Sequence, residues 1–316
     1  MKGSTDEVHD LFLKMAQGMG FSALREVVVS TKGVQPARIY APRLDILWTM
    51  RLTASQLAAL NEVGATPRLY GETLPVMAFE VEGSDASTKG MQADLANLRV
   101  SGAWFGVLAP RGGSVDNLYE RGLRLHQSQE AYFGATRIMV LDARWAPELA
   151  RIELSVALTE LKQQLPKGSG GEADWARRTR ANLREIGERA GFVVHDDARG
   201  LFPISRAPTQ SKIDQVWFLP MPKGLASFVE AVGTMSPKAA VPGITPEEAT
   251  AIPVVAFELE NSSAKHGNGG LLNLASHGMS GVFVAGRQGS ADAAEAALAA
   301  YSKYYPLAQV TVRRSY

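Results

Sequence analysis

Residues 75–84 read "PVMAFEVEGS", and residues 253–262 read "PVVAFELENS". Pro, Val, Ala, Phe, both Glu and the closing Ser coincide, seven of ten positions without a gap, so the first question is whether the chain contains one unit twice. The similarity extends well beyond the two stretches. Upstream, "LDILW" (Leu44 to Trp48) matches "IDQVW" (Ile213 to Trp217), and "GMGF" ending at Phe21 matches "RAGF" ending at Phe192. Downstream, "ANL" ending at Leu98 matches "LNL" ending at Leu274, and "FGVLA" (105–109) matches "SGVFVAG" (280–286). Ser114-x-Asp116 and Ser290-x-Asp292 then offer N-caps for a further helix, followed by the β-rich "TRIMVLDA" and "AQVTVRR".

Each half therefore predicts helix, strand, Asp-bearing strand, Glu-x-Glu strand, helix, strand, helix, strand. This is an α/β fold made twice, each copy a mixed central β-sheet flanked by helices. Asp45 precedes Glu80 by 35 residues and Asp214 precedes Glu258 by 44; the longer spacing falls on the Pro-rich "MSPKAAVPGITPEEAT" (235–250), where an insertion costs little. The predicted organisation is a first domain over 1–145, a helical and Gly/Ser linker over 146–173 that includes "PKGSGGEAD", and a second domain over 174–316.

With 316 residues, 46% hydrophobic and 21% charged, the chain can bury real cores. It has no uninterrupted apolar run near ~18 residues, and "MKGSTDEVHDLF" does not resemble a signal peptide. The expectation is a cytoplasmic protein with no membrane contact. Zero cysteines exclude disulfides and thiolate metal sites, and a net charge of +1 leaves nucleic-acid binding to a local basic face.

On a strand, residues two apart share a face, so Glu80 and Glu82 project together, as do Glu258 and Glu260, opposite Phe79 and Val81. A lone Glu-x-Glu is ordinarily a solvated face of an edge strand. Its recurrence, with an aspartate in the same relative strand, favours a working site. Clustered carboxylates repel unless a cation lies among them, and Mg²⁺ takes oxygen ligands from one or two carboxylates. Asp45 and Asp214 would supply a further oxygen.

The order of elements and the Asp…Glu-x-Glu pattern resemble the PD-(D/E)xK superfamily, the restriction-endonuclease-like nucleases. "FEVEGSDASTKGMQADL" is also similar to a signature of bacterial members, and the resemblance spans Asp6 to Ala143 and Trp175 to Arg314. It implies that Asp45 and Glu80, and likewise Asp214 and Glu258, hold Mg²⁺ or Mn²⁺, with the Val81 carbonyl also facing the ion. Glu82 and Glu260 stand where the family ordinarily has lysine. Glutamate there can bind metal or help deprotonate water but cannot neutralise a phosphate. Lys89 and Lys265 follow each pair and are candidates to reach in. The family often adds an acid from its first helix: Glu7 is available in the first half, whereas Arg178 occupies the matching place in the second. The resemblance implies metal-dependent hydrolysis of DNA, two sites on one chain acting on both strands of a duplex as a pseudo-dimer. The alternative is a catalytically inactive nuclease-fold scaffold that binds nucleic acid or a protein partner; homo-oligomerisation stays open.

Other features read more plainly. Trp48 and Trp217 are expected in the core rather than as base-stacking platforms. "WARRTRANLREIGER" (175–189) fits a phosphate-facing helix and equally an ordinary charged surface. His195 lacks metal-site spacing and is expected in a loop, and the Gly-rich stretch at Gly168 lacks the surroundings of a phosphate-binding loop.

Overall fold

In the computed structural model, residues 5–29, 42–83, 87–110, 115–133, 137–162, 174–199, 212–235, 244–261, 270–271, 273–274, 279–301 and 309–314 are described. The protein is α/β, with two five-stranded mixed sheets flanked by helices. The first sheet comprises β1 (Ser22–Val28), β2 (Arg43–Arg51), β3 (Thr73–Glu82), β4 (Phe105–Pro110) and β5 (Ile138–Val140), in that spatial order. β1–β2 and β2–β3 pair antiparallel, whereas β3–β4 and β4–β5 pair parallel. The second sheet repeats this with β6 (Val193–Arg199), β7 (Lys212–Pro220), β8 (Ala251–Glu260), β9 (Ser280–Ala285) and β10 (Val310–Arg314). β3 and β8 are thus the middle strands, not edges, and a parallel neighbour requires a crossover through a helix.

The helices are α1 (Thr5–Gly18), α2 (Ala54–Val63), α3 (Thr88–Val100), α4 (Val115–Phe133), α5 (Ala146–Leu149), α6 (Asp174–Arg189), α7 (Lys223–Met235) and α8 (Gln288–Tyr301). α2 and α7, inserted between the second and third strands of each sheet, add to the expected order. α2 announces itself locally: Thr53 accepts from the Gln56 N–H at 3.2 Å while the Gln56 side chain accepts from the Thr53 N–H at 2.9 Å, and Gly64 ends the helix at φ 72°. α8 begins at Gln288, so Ser290 lies inside its first turn rather than capping it. Ser114 lies outside the described residues. Within the described part of the helix expected over 146–164, only α5 forms, preceded by a 3-10 turn at Ala143–Trp145; Pro147 suits its start, and the chain is irregular or extended from Glu153 to Lys162.

Two compact units form, and they are not contiguous segments. Unit 1 contains Met1–Arg51, Leu69–Thr159 and Met221–Thr250; unit 2 contains Leu52–Arg68, Glu160–Pro220 and Ala251–Tyr316. The expected linker falls between the two sheets in sequence, yet α7 belongs to unit 1 and α2 to unit 2.

In unit 1 an aromatic cluster fills one side of the sheet. Phe12 of α1 stacks on Phe79 at 4.7 Å, Trp48 lies 4.6 Å from Phe79, and Phe228 of α7 lies 5.5 Å from Trp48. The opposite side packs Leu95 and Leu98 of α3 on Leu47, Ala78 and Leu108. In unit 2, Trp217 sits between Phe192 at 5.4 Å and Phe257 at 5.0 Å. Both tryptophans are fully buried, as expected of core residues. His195 lies within β6, opposite Val216, and not in a loop; its ring packs 4.8 Å from Phe218, and burial lowers its pKa. Among the described residues no helix is long and apolar enough to cross a membrane.

Candidate functional site

The antiparallel register Ile46↔Phe79, continued one step, sets Asp45 opposite Glu80, with both on the sheet face that α3 covers. The Val81 N–H donates to Asp45 Oδ2 at 2.7 Å, which fixes the Asp45 carboxylate at the end of the ladder. Glu80 is 4% exposed, and the Asn97 amide of α3 donates to its Oε1 at 3.1 Å. One α-helical turn earlier, Asp94 faces Glu82, and its Oδ2 is buried with no hydrogen-bond partner among the described residues. These groups, with Glu26 and Arg43, line one cavity of about 220 Å³.

Its electrostatics are those of an acid cluster short of positive charge. Burial first, then the neighbouring Asp45 charge, push the Glu80 carboxyl from 4.5 up to about 8, against the stabilising Asn97 hydrogen bond. Asp94 is likewise raised, by burial and by the carboxyl of Glu82, with which it shares a hydrogen bond. Among the described residues the only cation on the cavity wall is Arg43, whose Nε meets Glu26 at 2.5 Å.

Unit 2 repeats the backbone and changes the chemistry. Asp214 lies opposite Glu258 by the same register, and the Leu259 N–H donates to Asp214 Oδ2 at 2.8 Å. Glu258 is half-buried; burial and the adjacent Asp214 raise its pKa, while Asn273 opposes the rise. Glu260 accepts from the Asn261 N–H at 2.9 Å. Here, however, Arg180 of α6 reaches in, donating to Asp197 Oδ1 at 3.0 Å and to Asp214 Oδ1 and O at 3.3 Å each. The place of Asp94 is taken by Gly270, which has no side chain to offer.

Comparison with protein-family models, curated proteins and solved structures finds no match.

The fit of a divalent cation can be judged from the donors alone. Unit 1 offers only carboxyl, amide and carbonyl oxygens, one of them a buried orphan, the donor chemistry that Mg²⁺ and Mn²⁺ select. Among the described residues no three His, Asp or Glu side chains are already gathered closely enough to hold one ion. The site is therefore paired carboxyls around an open cavity rather than a closed ligand cage. Unit 2 does not fit: Asp214, the ligand its strand pair would contribute, is already engaged by a guanidinium.

Several contributors lay outside the sequence reading. Glu7 is exposed on α1; two residues on, about 200° around the helix, His9 instead faces Asp45, its Nε2 3.7 Å from Oδ2. Lys89 is exposed and absent from the cavity wall, and Lys265 lies outside the described residues. Glu26 on β1 and Asp197 on β6 adopt φ 53° and 52°, strained for non-glycine residues, with the strand register unbroken on either side. A signal for them existed: His9 and Arg180 each stand twelve residues before the Phe of the Gly-Phe pair, and Glu26 and Asp197 each stand five after it. Asn97 and Asn273 sit inside the repeated Asn-Leu. The basic helix proves largely self-neutralised. Arg177 pairs with Asp174, Arg184 with Asp196 and Glu188, and Arg189 with Glu62 and Glu185.

Proposed function

We propose that unit 1 is a divalent-cation-dependent phosphodiesterase of the restriction-endonuclease-like kind, acting on nucleic acid, with double-stranded DNA as the substrate to try first. Unit 2 keeps the architecture without the chemistry. One observation carries the reading: Asp45 and Glu80, from neighbouring antiparallel strands, enter a single cavity with Glu82 and Asp94, and Glu80 is held there against a large rise in pKa. The element order supports it: a helix, then an Asp strand antiparallel to a Glu-x-Glu strand, then a helix crossing to a parallel strand.

Asp45 and Glu80 would hold the ion, Asp45 aimed by the Val81 amide and Glu80 by Asn97. A bound Mg²⁺ or Mn²⁺ supplies Lewis acidity and a water of lowered pKa. Glu82, which already shares a proton-bearing hydrogen bond with Asp94, is the carboxyl that can take the proton of an attacking water. Arg43, exposed on the rim, is the cation placed to meet a phosphate oxygen that glutamate cannot neutralise.

The second reading is a nuclease-fold scaffold that binds without cutting, favoured by the Arg180–Asp214 pair, which leaves unit 2 no ligand set. Plasmid incubated with Mg²⁺ or Mn²⁺ separates the two. Cleavage abolished by Glu80→Ala and preserved in Glu258→Ala fits the phosphodiesterase; no cleavage with either ion, or cleavage indifferent to Glu80→Ala, leaves the scaffold.

A further inference from the structure

One helix position differs between the units in a way that bears on both. Twelve residues before the Gly-Phe phenylalanine, unit 1 has His9 and unit 2 has Arg180, 6% and 9% exposed. Their surroundings correspond. Each faces a second-strand aspartate whose Oδ2 accepts the N–H following the first glutamate, and each unit carries an acid at a left-handed φ on its first strand. A non-glycine residue at such a φ costs free energy, and the acid recurs there in both copies.

In unit 2 the guanidinium joins those two acids, bonding Asp197 and Asp214 from one buried head group. In unit 1 the corresponding side chain brings no such charge. Arg25 Nη2 lies 3.1 Å from His9 Nδ1; a guanidinium only donates, so Nδ1 accepts and the imidazole proton sits on Nε2. That Nε2 has no hydrogen-bond partner among the described residues and lies 3.7 Å from Asp45 Oδ2. The two copies therefore answer one electrostatic problem differently, since a fixed guanidinium neutralises carboxylates that otherwise need an added cation.

We propose that Arg180 is the built-in cation of unit 2, and that the residue at this single helix position decides whether a unit takes an exchangeable divalent cation. The comparison with unit 1 rests on the cation reading given above, but the claim for unit 2 can succeed or fail without it.

The test is Mn²⁺ bound per full-length chain, read from the electron paramagnetic resonance signal of free Mn²⁺. Wild type is expected to bind about one ion, Arg180→His about two and His9→Arg about none, with affinities in the range of ordinary oxygen-ligand sites. The ion gained by Arg180→His is expected to vanish when Asp214→Ala is added, and Arg180→Lys, which keeps the charge, is expected to behave as wild type. A folded Arg180→His chain that binds no more Mn²⁺ than wild type overturns the proposal, as does a His9→Arg chain that keeps wild-type binding. If Arg180→His melts early because Asp197 and Asp214 lose their counter-charge, the readout becomes its melting transition: recovery by Mn²⁺ supports the proposal and no recovery overturns it. Wild type binding no ion while Arg180→His gains one would reject the unit 1 reading and the role of His9, and uphold Arg180 as the built-in cation of unit 2.

Discussion

Glu80→Gln isolates the electrostatic cost of the acid cavity. The substitution is isosteric, and the glutamine Oε1 can still accept from Asn97, so packing and the hydrogen bond are retained while the ionisable group is removed. The folded-state pKa of Glu80 is raised to about 8 from 4.5, so the folded protein holds that proton more tightly than the unfolded chain. Its contribution is complete below pH 4.5 and is lost as pH rises through about 8. Full loss is on the order of 5 kcal/mol, of which roughly 3.5 kcal/mol accrues between pH 5 and pH 8. At about 2–4 °C per kcal/mol for a unit of this size, that is a drop of roughly 7–14 °C in wild type that Glu80→Gln does not share. The assay is a pair of thermal melts at pH 5 and pH 8 in chelator, for both proteins, scored as the difference of differences. Glu258 titrates in both chains and cancels; Asp94 is raised chiefly by burial and Glu82, and loses only the smaller contribution of the Glu80 charge. Parallel pH dependences, within about 0.5 kcal/mol, would refute the burial of Glu80 beside Asp45 as an uncompensated carboxyl.

Three further outcomes are expected. Saturating Mn²⁺, at about a hundred times its dissociation constant, should stabilise wild type by about 2.7 kcal/mol in a melt and leave Asp45→Asn unchanged; equal stabilisation of both would disconnect the ion from this cavity. Arg184→Leu should destabilise unit 2 by about 3–5 kcal/mol in denaturant unfolding, because buried Asp196, held by Arg184 at 2.7 Å, loses its charge partner; a loss under 1 kcal/mol would contradict it. Chain truncated after residue 162 should fail to give a cooperative melt, since it lacks Phe228 and the rest of α7, which complete the unit 1 core; a sharp, reversible transition would show that the first sheet and its own helices suffice.

The duplicated β-segments carried most of what sequence could tell. Strand periodicity and the repeated Pro-Val-x-Ala-Phe-Glu-x-Glu located the middle strand of each sheet, and an aspartate three residues before a core tryptophan located its antiparallel neighbour. The exchange of α2 and α7 was illegible, because which unit a helix packs in depends on contacts far apart in sequence; nothing in "ASQLAALNEV" says that its unit includes Ser280 and Thr311, whose side chains bond the Thr66 N–H and the Gly64 carbonyl. The site was legible in its strand residues and not in its helix residues. Glu80 and Asp45 follow from alternation, whereas choosing His9 over Glu7 needs the helix phase to within one residue. Asp94 was hidden for another reason: it has no counterpart in the second half, so the repeat could not flag it. Arg180 sits in a run that fits a phosphate-facing helix and an ordinary charged surface equally, and such a run does not reveal which arginine turns inward.

A crystal of the full chain soaked in Mn²⁺ and measured at the manganese edge tests the central claim most directly. The account predicts an anomalous peak between Asp45 and Glu80 of unit 1 and none beside Asp214 and Glu258 of unit 2. A unit 1 cavity without a peak, with Asp45 and Glu80 holding only each other and their amides, would contradict it.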